Sequence, residues 1–192
     1  MPKVRKEIQI SPAYHTIYLY ADESAAERYA GMADYDVILR QGFDWQPGFI
    51  NFENLGEWVS FRMEVVVLNA GEEFEIHSES VRVIQLPFEV TAFGINISDC
   101  FFHEPTFIEL PNGYCAIFFE LMLDNRPEII NSSSYQDDIE GGLSHEFCRI
   151  TLRPTDSPVE AKILKSDSNW TPPYDIGGYE PLNPPDPLVL GV

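Results

Sequence analysis

Trp58-Val59-Ser60-Phe61-Arg62-Met63-Glu64-Val65-Val66-Val67-Leu68 is the stretch that decides the fold class. Val59, Phe61, Met63, Val65 and Val67 fall on one side of an extended chain, and Ser60, Arg62 and Glu64 on the other. This period of two belongs to a strand with one face in a core and one in water. The turn residues Asn69-Ala70-Gly71 follow, and then Val81–Val90, whose Pro87 requires an edge or a bulge. Further strands are expected at Ile95–Ile97, Thr106–Leu110, Tyr114–Leu123, Glu146–Leu152 and Ala161–Leu164. Pro111-Asn112-Gly113 and Gly141-Gly142 supply turns between them. Upstream, Phe49–Glu53 forms a short strand after Pro47-Gly48, and Ile8–Tyr20 reads as strand broken at Ser11-Pro12.

Helical signals are confined to the first quarter. Ser24-Ala25-Ala26-Glu27 has the form of a capping box with Gly31 as a stop, and Asp34–Arg40 suits a second short helix closed by Gly42. The fold expected for residues 1–164 is therefore mainly β: an antiparallel β-sandwich with one or two short helices near the N-terminus. Residues 165–192 carry six of the fifteen prolines, too many for regular structure. They are expected to form a Pro-rich C-terminal arm, extended or laid over the sandwich by Trp170, Tyr174, Tyr179 and Leu182.

Composition bounds the function. The 192 residues include 12 basic and 31 acidic side chains, a formal charge of −19. Binding nucleic acid through phosphate contacts requires clustered Lys and Arg, so direct nucleic-acid binding is excluded, and anionic membranes are disfavoured. No apolar run approaches the roughly 18 residues of a membrane helix. Met1–Ile10 has basic residues without an apolar segment behind them, which leads to the expectation of a cytoplasmic protein with reduced thiols.

Catalytic patterns are missing from the sequence. It contains no phosphate-binding glycine loop, no G-x-G-x-x-G and no G-x-S-x-G elbow. His15 sits among Ile17 and Leu19 as a core histidine would. His77 lies among acids that favour its charged form, the wrong state for a general base. Cys100-x-x-His103 and His145-x-x-Cys148 offer two thiols and two imidazoles. Residues three apart on a strand point to opposite faces, however, so no zinc site is assigned. No calcium loop is present either. No catalytic residue, metal or cofactor is expected.

The charge distribution is more informative. Between Gln41 and Asn125 the basic residues are Arg62 and Arg82. The same segment holds fourteen acids: Asp44, Glu53, Glu57, Glu64, Glu72, Glu73, Glu75, Glu79, Glu89, Asp99, Glu104, Glu109, Glu120 and Asp124. Two clusters stand out. Glu72, Glu73, Glu75 and Glu79 fall in an expected hairpin loop, and Asp137, Asp138 and Glu140 in a Ser- and Gly-rich loop. Such clusters imitate phosphate spacing and would steer a basic protein partner onto this surface.

A set of short motifs adds a family. Ser11-x-x-Tyr14-His15, Gly42-Phe43, Gly48-x-Ile50-x-Phe52-Glu53, Leu86-Pro87-Phe88-x-Val90 with Gly94-Ile95, and Leu110-Pro111-x-Gly113-Tyr114 occur in this order. Over about residues 11–125 the chain thereby resembles the competence protein ComJ family. The resemblance implies a small acidic inhibitor that occupies the DNA-binding cleft of a non-specific, metal-dependent nuclease of the DNA-entry type, and it implies no particular contact residues. Two other readings stay open: a ligand-binding sandwich for glycan or peptide using Tyr18, Tyr20, Trp45 and Trp58, and an immunity protein against another toxin.

Overall fold

The computed structural model describes residues 4–10, 16–30, 42–53, 61–103, 105–123 and 146–166. Along them run β1 (Val4–Ile10), β2 (Thr16–Tyr20), α1 (Glu23–Tyr29), β3 (Phe43–Gln46), β4 (Phe49–Glu53) and β5 (Phe61–Val67). After these come β6 (Ser80–Val90), β7 (Gly94–Asp99), β8 (Thr106–Glu109), β9 (Gly113–Leu123), β10 (Glu146–Thr155) and β11 (Lys162–Ser166). The strands form two sheets, ordered β1-β5-β10-β9-β6-β11 and β3-β4-β2-β7-β8.

The alternation read from the sequence builds the core. Met63 and Val65 of β5, Ile84 and Leu86 of β6, Ile117 and Phe119 of β9, and Ile150 and Leu152 of β10 face one way. Ile17, Leu19, Ile50, Phe52, Ile95 and Ile97 of the smaller sheet meet them in one cluster. Phe52 and Phe119 stack across the two layers, with centroids 4.4 Å apart and an interplanar angle of 9°. This is a sandwich, mainly β, as expected.

Several details depart from expectation. The β5–β10 pair is parallel, with Cys148 opposite Met63 and Leu152 opposite Val67; the other pairs are antiparallel. Ile8–Tyr20 divides between sheets, β1 at an edge of the larger and β2 inside the smaller. The strand β3 adds to those expected. The helix starts before the supposed capping box: Asp22 is the N-cap, its Oδ1 accepting from Ser24 Oγ (2.6 Å) and Ala25 N (2.9 Å). These bonds, the Ser24 hydroxyl's first, hold the Asp22 carboxyl below its usual range. Asp is as good a cap as Ser, and here it stands two residues earlier in the chain. Pro87 meets its requirement, because β11 pairs with β6 only over Arg82–Gln85 and, among the described residues, no strand pairs with that side of β6 beyond them.

His15, His145, Trp58, the expected helix Asp34–Arg40, the Gly141-Gly142 turn, the cluster Asp137, Asp138 and Glu140, and the Pro-rich arm from residue 167 onward lie outside the described residues.

Candidate functional site

The acidic segment 68–79 is not a hairpin loop. Both β5 and β6 run antiparallel to β9, directly or through β10, so they are parallel to each other with two strands between them. The connection must therefore return the length of the sheet, and it does so as a strap over the outer face of β10 and β9. A loop of this length suits either connection, so the local sequence could not distinguish them.

The strap begins with a turn in which Glu72 N donates to Asn69 O (3.1 Å), with Gly71 at φ +84. The left-handed conformation in the third position of that turn is what glycine supplies. Glu72 Oε2 accepts from Asn69 N (2.6 Å) and Asn69 Nδ2 (2.8 Å), so this carboxylate shapes the turn from a half-buried position. Glu73, Glu75 and Glu79 are exposed. Between the first two, Phe74 turns inward and stacks on Phe118 of β9, centroids 3.9 Å apart. Arg153 lies over the far side of that contact, its guanidinium 5.1 Å from the Phe118 ring centre, and donates to Glu72 O (3.4 Å).

The other end of the strap is fixed by a buried carboxylate. Glu120 is fully buried; its Oε1 accepts from His77 N (2.9 Å) and Ser80 Oγ (2.8 Å), and its Oε2 from Arg149 Nε (2.5 Å). Arg149 sits directly opposite Glu120 in the β9–β10 register. Lys165 of β11 donates to Ser78 O (3.3 Å), adding a tie on the other flank. A groove of about 720 Å3 opens between the strap and the sheet, lined by Val66, Leu68, Glu72, Glu73, Phe74, Glu75, Arg149 and Thr151. The arrangement is a row of exposed carboxylates on a backbone held at both ends, with a partly apolar groove beneath.

The acidic field is smaller at the surface than in the sequence. Asp44, Glu53, Asp99 and Glu120 are buried. Asp99 organises the turn after β7: Oδ1 accepts from Phe101 N and His103 N, and Oδ2 meets His103 Nδ1, each at 3.0 Å. His77 Nδ1 accepts from Glu79 N at 3.3 Å. Neither imidazole contact involves a hydroxyl or thiol. Cys148 belongs to the inter-sheet core, whereas Cys100 packs against the aromatic cluster on the opposite side of the smaller sheet. A layer of strands separates the two thiols.

The aromatic platform of the glycan reading is corrected. Tyr18 and Tyr20 are buried, covered by α1 and by Phe102, whose ring lies 5.4 and 5.6 Å from theirs. Trp45 is partly buried against the core. Burial, with smaller contributions from the Cys100 thiol and the Glu53 carboxylate, pushes the Tyr18 phenol up to about 12.

The sequence reading missed the residues that hold the strap: Phe74, Ser80, Phe118, Glu120, Arg149 and Arg153. One signal was available. Glu120 is the one charge within the otherwise apolar strand β9, and a lone buried charge requires a partner of opposite sign.

Fold and site together describe a two-sheet β-sandwich that displays an acidic surface. The chain belongs to the competence protein J (ComJ) family, whose model matches residues 8–152. That match extends past the motifs read in the sequence and takes in β9 and most of β10, up to Leu152, the strands that carry the strap. Among solved structures, the chain is similar to one described as the crystal structure of ComJ, inhibitor of the DNA-degrading activity of NucA, from Bacillus subtilis. The TM-score is 0.51 at 16% identity, covering 76% of this chain and 94% of that one. A second, described as crocagin biosynthetic gene J, has a TM-score of 0.48 at 14% identity, covering 80% of this chain and 99% of that one. No curated protein sequence matches the chain.

Proposed function

We propose that this protein inhibits a DNA-entry-type nuclease by laying the acidic strap over the enzyme's basic DNA-binding cleft. Membership in the ComJ family and a fold similar to that of an inhibitor of NucA support a nuclease as the partner. The occlusion mechanism rests on one observation: Glu73, Glu75 and Glu79 stand exposed on a segment anchored by Phe74 and Glu120. A cleft that binds DNA presents lysines and arginines, and a strap whose backbone is already anchored loses less conformational freedom on meeting them than a loose loop would. Asp137, Asp138 and Glu140 are proposed as a second contact with the same non-specific, metal-dependent enzyme.

The test is plasmid cleavage by the nuclease encoded in the same organism, with and without the protein, at low and high salt. The expected outcome is stoichiometric inhibition that weakens as salt rises. Full cleavage at both salts would overturn the proposal. Charge reversal at the exposed positions (Glu73→Lys, Glu75→Lys and Glu79→Lys together) is expected to slow association at low salt by about tenfold or more and to flatten its salt dependence. Glu72 is left intact because its carboxylate holds the turn.

A further inference from the structure

Resting on the inhibitor reading, we infer that the groove under the strap receives an arginine side chain of the partner, and that this insertion, rather than the exposed charge row, sets how long the complex lasts. The groove is built for a residue with an apolar stem and a cationic head. Val66 and Leu68 form an apolar wall, Phe74 closes one side, and the carboxylates of Glu73 and Glu75 stand at the rim. Its volume of about 720 Å3 exceeds the needs of one side chain, so a short length of the partner's backbone enters with it.

Among the described side chains, the positive groups nearby are already committed. Arg149 bonds to the fully buried Glu120, and Arg153 lies over Phe118 and donates to Glu72 O. Among the described side chains, with Glu72, Glu73, Glu75 and Glu120 against Arg149 and Arg153, the local balance remains negative. A guanidinium fits better than an ammonium here because it is planar, weakly hydrated and able to bridge two carboxylates. Rim charges act mainly on the rate of encounter, whereas a central, desolvated anchor acts on the rate of departure. Glu73 and Glu75 serve both parts, so Thr151→Trp, which leaves every charge in place, is the substitution that separates them.

The groove is tested on the full chain by NMR titration with acetyl-Gly-Arg-Gly-amide, and with the corresponding Lys and Gln peptides. The inference expects saturable millimolar shifts at the Val66, Leu68 and Thr151 amides with the Arg peptide and none with the Gln peptide. Thr151→Trp, which fills the groove, is expected to abolish them. Glu73→Gln with Glu75→Gln, both at exposed positions that folding tolerates, is expected to do the same. No shift with the Arg peptide, equal shifts in the variants, or a response to Lys alone would overturn it. Groove shifts in a protein that leaves the nuclease active would sink the inhibitor reading and keep the groove; inhibition without groove shifts would do the reverse. In the complex itself, Thr151→Trp is expected to raise the dissociation rate at least tenfold with little change in association.

Discussion

Glu120 is the residue on which the site depends. It has no access to water, and its three partners come from the strap, from β6 and from β10. Replacing it by Gln keeps the shape and removes the charge, leaving Arg149 largely buried against a neutral amide. Losing one member of a buried pair costs on the order of 3 kcal/mol, so Glu120→Gln is expected to lower the urea midpoint with an unchanged m-value. The thiols give a second measurement. Burial pushes Cys115 up to about 12, and burial followed by the neighbouring Asp99 carboxylate raises Cys100. A disulfide reagent at pH 8 is therefore expected to react slowly with half-buried Cys100, and with Cys115 and Cys148 only after unfolding. Tyr18 and Cys115 also contribute to the fall of stability at alkaline pH. Their native forms hold protons that the unfolded chain releases at its ordinary values near 10 and 9. The stability they contribute is complete below those values and is lost as pH rises towards about 12. Tyr18→Phe is expected to soften that decline, read by urea titration between pH 9 and 12.

At the scale of elements, the strap converts a run of acids into a fixed surface. Phe74→Ala removes the stacking on Phe118 and leaves every charge in place. It is expected to expose the His77 amide to hydrogen exchange and to weaken inhibition, because a loosened strap must be ordered again on binding. If exchange quickened while inhibition held, rigidity would be irrelevant to the complex. Gly94 accounts for one family motif physically. A Cβ there would collide with the Phe107 ring and the Ile108 carbonyl. Gly94→Ala is thus expected to cost about 1–3 kcal/mol, measured as a fall in Tm. The strands themselves were legible because alternation records which side of each faces the core. Strand order was not, since nothing local in Val59–Val67 states whether its neighbour is β6 or β10. For that reason a crossing strap and a hairpin read alike in the sequence, and buried Glu120 reads like a surface acid. The four acidic positions 72, 73, 75 and 79 were found from charge alone, whereas their anchors required the register between β9 and β10.

Over the whole molecule, the charge of −19 acts in two opposite directions. Self-repulsion opposes compaction, so screening by salt is expected to raise the Tm of the free protein. The same screening weakens attraction to a basic partner. A rising Tm together with falling inhibition across one salt series would carry the signature of both; a Tm indifferent to salt would indicate that the acids are locally neutralised. The placement of β10 has a consequence for the order in which the chain is made. This strand is the second-last in sequence among those described, yet it lies between β5 and β9 in the larger sheet. A nascent chain ending before residue 146 holds β5 and β9 without the strand that joins them, and exposes two apolar edges to other chains. Only when Leu152 has been synthesised can the layer close. The vulnerable interval therefore lasts until Leu152 has been made, and truncations short of β10 leave sticky half-sheets rather than a smaller domain.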